Sequence, residues 1–174
     1  MNSKIYTHYK RELNEKPSFL VGQKAFIVNN VGRVLILKRH ERSTQGEMWD
    51  FPGGRVGFEE SLRTGLTREV KEEVKLTLTK VSLPLSITTF IRDIDRNTQI
   101  VRIIYLCKVG GKTKLSKEHC EYLWIDPKDH KQYTFISEDY HQAFENFLKF
   151  KPKTKEFLNK GMLNESLEYL RAHK

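Results

Sequence analysis

The chain has 174 residues, 38% hydrophobic and 30% charged. That is enough for one domain with a full core, and its longest apolar stretches, 25–28 and 34–37, are strand-sized and exclude a membrane-spanning helix. Thirty-one basic against 22 acidic residues give a net charge of +9, which favours anionic partners. Two cysteines, Cys107 and Cys120, exclude a disulfide framework and fit a reducing cytoplasm. The first sixteen residues lack the apolar segment of a secretory signal.

In chain order, 23–29 and 34–39 are runs rich in branched residues. The Asn29-Asn30-Val31-Gly32 turn between them predicts a β-hairpin. A polar loop, 42–48, leads into Trp49-Asp50-Phe51-Pro52-Gly53-Gly54, and residues 61–75 have helical periodicity. Two longer β-type runs, 81–91 and 98–109, joined by the polar turn 93–97, predict a second hairpin. A short strand at 121–125 ends at Asp126-Pro127, and an amphipathic helix follows at 137–150, with Tyr140, Phe144, Phe147 and Leu148 on one side. One or two short helices are expected within 155–173. The class is α+β, an α/β/α sandwich around a mixed sheet. Residues 1–20 read as a basic N-terminal extension, 21–150 as the main domain and 151–174 as a helical C-terminal extension. The basic residues Lys4, Lys10, Arg11, Lys16, Lys151, Lys153, Lys155 and Lys160 lack the interleaved aromatics of a single-strand platform, so nucleic acid is the less favoured partner.

The 61–75 helix carries its acids in an unusual place. Leu62, Leu66, Val70 and Val74 recur every four residues as an apolar stripe, while Thr64, Arg68, Lys71 and Lys75 lie roughly opposite, towards water. Glu69 and Glu73, an i, i+4 pair, flank the apolar stripe, and Glu72 lies one step further round. Like charges at that spacing repel, and partial burial raises their pKa values unless a cation neutralises them. Carboxylates are the preferred ligands of a hard cation such as Mg²⁺. Upstream, Pro52-Gly53-Gly54 allows close backbone approach to a ligand, and Glu60 at the helix start suits the helix dipole. Read residue by residue, a solvated acidic face and a plain Gly-Gly turn explain the same features.

Together they match a known pattern. Gly54, five residues, Glu60, seven residues, then Arg68-Glu69-Val70-Lys71-Glu72-Glu73-Val74-Lys75-Leu76 resembles the signature of the Nudix hydrolases. Trp49–Gly53 and the 35–39 strand resemble the family's usual lead-in, and the resemblance spans roughly 23–150. Lys75 departs from the pattern, standing where the family has Gly, which predicts a different helix exit or modest strain. Gly65 stands where Ala is common.

The resemblance implies a Nudix-like sandwich and metal-dependent hydrolysis of a nucleoside diphosphate linked to another group, by attack of water on phosphorus. It implies that Glu69, Glu72 and Glu73, with the Gly54 carbonyl, hold Mg²⁺ (or Mn²⁺), and that Arg68 orients acids such as Glu60. The general base is then Glu73 or an acid of the 116–124 segment, Glu118 or Glu121, with Glu121 preferred; His119 reads as an ordinary loop histidine. Arg39 and the Gly53-Gly54 loop are candidates for substrate phosphates. Trp49, Phe90, Tyr105 and Trp124 are candidates for base stacking, with core packing the stronger expectation for each. Sixteen residues past the signature, ADP-ribose enzymes carry proline and dinucleoside polyphosphate enzymes tyrosine; here Arg92 stands there. A small nucleoside triphosphate or nucleotide-sugar is the expected substrate. RNA decapping, a catalytically inert nucleotide sensor and a diphosphate isomerase are the rival readings. A homodimer is compatible with the sequence.

Overall fold

The computed structural model describes residues 17–43, 45–92 and 97–150. Residues 93–96 of the expected 93–97 turn, residues 1–16, and the C-terminal extension with its 155–173 helices lie outside the described residues; residues 18–20, read as N-terminal extension, instead begin the first strand. The elements are β1 (Ser18–Ile27), β2 (Val34–Arg39), β3 (Trp49–Asp50), α1 (Leu62–Val74), β4 (Thr77–Ile91), β5 (Thr98–Gly110), β6 (His119–Ile125), a short 3-10 turn (Pro127–Gln132) and α2 (Asp139–Phe150).

They form two three-stranded sheets. In the first, β5 lies between β1 and β4, pairing parallel with β1 and antiparallel with β4. In the second, β2 lies between β3 and β6, antiparallel to both. The expected α+β sandwich with a mixed sheet is therefore present. The branched runs in β1 and β2 alternate sides. Phe26, Val34 and Ile36 join Phe51, Tyr140, Phe144 and Phe147 beneath α2, whereas Ala25, Ile27, Leu35 and Leu37 join Leu66, Val70 and Val74 beneath α1. A strand covered on both faces needs a continuous apolar run rather than alternation, and that is what 25–28 and 34–37 supply. Each large side chain fully buried in this way contributes about 1.5–3 kcal/mol.

The first hairpin departs from expectation. The turn forms: the Asn29 side-chain oxygen accepts from the Val31 and Arg33 N–H groups, and Gly32 takes a positive φ of 83°. Yet β1 and β2 share a single bridge, Val28 to Val34, and then diverge into different sheets. One edge of β1 is taken by β5, and the other by the 52–56 segment. There the Ala25 N–H donates to the Pro52 carbonyl, the Gln23 N–H to the Gly54 carbonyl, and the Val56 N–H to the Val21 carbonyl. With both edges occupied, β1 has no room for β2. The second hairpin pairs as expected, with register shifts around Pro84, whose missing N–H cannot join the ladder.

Helix α1 starts as a capped helix should, with the Ser61 hydroxyl accepting from the Thr64 N–H at 3.0 Å. Its exit resolves the Lys75 question. Lys75 adopts the left-handed conformation, φ 58° and ψ 15°, that glycine ordinarily fills, and its ammonium donates to the Glu72 carbonyl at 3.1 Å. The exit is thus the usual one, made with a strained residue. Lys75→Gly should raise stability by about 0.5–1 kcal/mol, net of the lost ammonium bond. Thermal melts of the two proteins check this; an unchanged or lower Tm for the glycine variant would remove strain from the account.

Candidate active site

The site is built where the 52–57 loop runs between β1 and the acidic side of α1. Gly53 holds the closest approach. Its φ is +136°, and a Cβ there would stand 2.2 Å from the Gln23 carbonyl oxygen and 2.9 Å from the Lys24 Cα. Only glycine lets the loop lie on β1 in this way. The Gly53 N–H donates to Glu73 Oε2 at 2.8 Å. Gly54 touches the other acid: a Cβ on it would fall 2.5 Å from the Glu69 carboxyl carbon. The two glycines thus bring loop backbone against both members of the i, i+4 pair.

The three acids are not equivalent. Glu73 is buried, and burial pushes its carboxyl up to about 8; Asp50 and Glu69 add to the rise, while Lys24 and the Gly53 N–H oppose it. Glu69 is partly buried and accepts from the Arg68 guanidinium at 2.8 Å. Glu72 leans to solvent and meets Arg68 at 3.3 Å. Arg68 also forms a two-pronged pair with Glu60, at 3.0 and 3.1 Å, and donates to the Arg55 carbonyl. Though its side chain stays partly exposed to water, as the helix face predicts, it ties three acids to the loop. The Arg68 bonds and the Gly57 N–H hold the Glu60 carboxyl below its ordinary value. Gly65 makes this packing possible, since a Cβ there would lie 2.9 Å from Glu60 Oε2 and 3.0 Å from the Gln23 amide nitrogen.

A second polar group, not singled out from sequence, sits under the loop. Asp50 is fully buried on β3 and accepts from Lys24 at 2.8 Å, Arg39 at 3.2 Å and the Tyr140 hydroxyl at 2.7 Å. Burial by itself raises this carboxyl, but Lys24, Tyr140 and Arg39 together draw it below its ordinary value. Arg39 is thus engaged by the buried Asp50. Beyond Tyr140, Arg102 pairs with Asp139 at 2.9 Å and covers the Phe90 ring at 4.4 Å. Buried carboxylates and strand lysines have no periodic signature, which is why Lys24 and Asp50 escape a sequence reading.

The remaining candidates lie on or beside β3, β5 and β6, and His119, paired with Arg39 across the sheet, is near enough to Asp50, Lys24 and Arg39 for their charges to act on it. Glu121 is exposed on β6, opposite Lys38, and its side chain makes no hydrogen bond or ion pair among the described residues. Glu118 is likewise exposed. His119 is buried, and burial drops its pKa to about 4, so it is neutral at physiological pH. Trp49 and Tyr105 are core residues, and Trp124 packs partly buried against the α1 side.

The family model for the NUDIX domain matches residues 19–147. The chain belongs to that family. The Nudix chain is 27% identical to the CTP pyrophosphohydrolase of Escherichia coli (strain K12), over 66% of its own length and 82% of the relative's. It is 28% identical to the 8-oxo-dGTP diphosphatase of Buchnera aphidicola subsp. Schizaphis graminum, over 66% and 84% of the two chains. Among solved structures, the MutT protein of Methanosarcina mazei superposes with a TM-score of 0.67 at 30% identity, covering 80% of this chain and 99% of that one. The protein is accordingly a Nudix hydrolase, and members of this family generally use divalent metal ions.

The donor set suits such an ion. Among the described residues no three His, Cys, Asp or Glu side chains converge into a ready cage, and Arg68 engages Glu69 and Glu72. Mg²⁺ needs no full protein cage, since it usually takes one or two carboxylates and leaves its other positions to water and substrate phosphates. The buried Glu73 carboxyl, held up to about 8 beside Glu69, is the kind of group whose charged form a cation stabilises. The Gly54 carbonyl accepts from the Gln23 N–H, which leaves its second lone pair for a ligand. Among the described residues no helix is long and apolar enough to cross a membrane.

Proposed function

We propose that the protein is a Mg²⁺-dependent pyrophosphohydrolase of nucleoside triphosphates, with nucleotide-sugars as the second substrate class. The observation that carries this reading is the buried Glu73, hydrogen-bonded to the Gly53 N–H beside a Glu69 pressed on Gly54. In this reading Glu69, Glu72, Glu73 and the Gly54 carbonyl hold the metal. When bound, the ion draws charge from the phosphate oxygens and makes water a better nucleophile. The chain's own residues do the rest. Arg68 and Glu60 fix the acids, since every N–H of the Arg68 fork that faces them is engaged. Glu73 takes the proton of the attacking water: it adjoins the loop, whereas the Glu121 side chain is exposed and unbonded. The substrate phosphates are assigned to the Gly53-Gly54 loop, whose glycines let it lie against β1 and Glu69, and to Arg39, which Asp50 holds. The triphosphate preference is supported by two relatives named for such substrates, CTP and 8-oxo-dGTP. A buried Cys107 and a free Cys120 suit a reducing cytoplasm.

The test is a panel of nucleoside triphosphates, nucleotide-sugars, ADP-ribose and dinucleotides, read for phosphate or pyrophosphate with Mg²⁺. Pyrophosphate release from one or more triphosphates, abolished by a chelator and restored by Mg²⁺ or Mn²⁺, is the expected result. Release from every substrate undiminished by chelator would end the metal reading. Activity confined to capped RNA, with affinity falling steeply as salt rises, would favour the decapping alternative.

A further inference from the structure

The half-buried Lys24 has no part in the Nudix signature, yet its ammonium is fully committed within the site. It donates to Asp50 Oδ2 at 2.8 Å, to the Phe51 carbonyl at 3.1 Å and to the Gly53 carbonyl at 2.8 Å. An ammonium has three hydrogens, so all are used. Its side chain is only 13% exposed. The neighbouring residues of β1 hold the loop by backbone bonds, Ala25 to Pro52 and Gln23 to Gly54. The Gly53 carbonyl between those two contacts points the other way, and Lys24 is what catches it. Gly53 is thereby tied at both ends, its N–H to Glu73 and its carbonyl to Lys24.

We propose that Lys24 is a positioning residue of the hydrolytic centre, one that locks the Gly53 peptide so that Glu73 and Glu69 keep their places against the loop. Glycine at φ +136° has wide conformational freedom, and one charged hydrogen bond on its carbonyl is a direct way to remove it. Asp50 then serves to neutralise and orient the ammonium, helped by Arg39 and Tyr140.

The inference rests on the hydrolase reading above, and it is tested on the full chain with whichever triphosphate the panel identifies. Lys24→Met removes the clamp but leaves Asp50 with less compensation, so Lys24→Met/Asp50→Asn is made beside it to restore charge balance. The double variant should regain most of the wild-type Tm while kcat stays on the order of 10²-fold down, with KM changed far less, because misplaced catalytic groups slow chemistry more than binding. A double variant with wild-type kcat would overturn the proposal, leaving Lys24 as a mere counter-ion of Asp50. Should neither variant fold, proton exchange of the wild-type Lys24 ammonium, read by ¹⁵N NMR, decides: slow exchange with a coupling through the hydrogen bond to the Gly53 carbonyl carbon supports the clamp, and exchange as fast as that of an exposed lysine overturns it. If the wild type hydrolyses no nucleotide, the substrate reading fails and the exchange measurement alone judges the clamp.

Discussion

Glu73→Gln should make the metal-free protein more stable at pH 8 while lowering kcat on the order of 10²-fold. The two effects share one cause. Burial raises the Glu73 carboxyl from 4.5 to about 8. An acid with a raised folded pKa binds its proton more tightly in the fold than in the unfolded chain. Its contribution to stability is therefore complete at low pH and is lost as pH climbs from about 4.5 to 8. The displacement corresponds to roughly 5 kcal/mol at the alkaline end, an upper figure for a site that can relax. His119 acts in the opposite direction. Its pKa is dropped by burial from 6.5 to about 4, so stability is lost as pH falls through that range; His130, also lowered by burial, adds the same sign. The metal-free protein should be most stable near pH 6.5. Glutamine at 73 should erase the alkaline limb and leave the acidic one, as read by denaturant unfolding in a chelator from pH 5 to 9. Its amide oxygen still accepts the Gly53 N–H, so the fold keeps that bond. An alkaline limb that persists in Glu73→Gln would assign it to another group, and full activity in that variant would remove Glu73 from the chemistry.

Gly53→Ala and Gly54→Ala should separate stability from activity at adjacent positions. At Gly53 the new methyl meets the Gln23 carbonyl at 2.2 Å, and an L-residue is strained at φ +136°. Neither the β1 backbone nor the loop yields readily, so a loss of about 2–4 kcal/mol is expected, with activity falling alongside. At Gly54 the methyl meets the Glu69 carboxylate at 2.5 Å. A glutamate end can swing away at small cost to the fold, but swinging away takes it from the site. Tm should hold within a few degrees, while kcat falls on the order of 10-fold or more and the Mg²⁺ requirement rises. The comparison is made by melting curves and Mg²⁺ titrations of activity. Equal losses of stability in both variants would show that Glu69 is wedged by the fold rather than held for the metal.

The sequence alone went far because its strongest signals are local. Branched runs at 25–28 and 34–37 are strands because they are buried on both faces, and the four-residue stripe from Leu62 to Val74 is a helix because that spacing forms one face. The spacing from Gly54 to Leu76 sufficed to suggest the family, and the loop and acids it marks do meet, Gly53 on Glu73 and Gly54 on Glu69. Tertiary structure decided what local pattern cannot carry. It sent β1 to β5 because the 52–56 loop occupies the other edge of β1. Glu73 became buried and Glu72 exposed because the helix seats one side against β1. The Asp50, Lys24, Arg39 and Tyr140 group assembled from four separate segments. Hydrogen-bond and charge partners brought together across up to 90 residues leave no spacing to read; only the packed fold, which excludes water and so obliges each buried charge to find a partner, determines who they are.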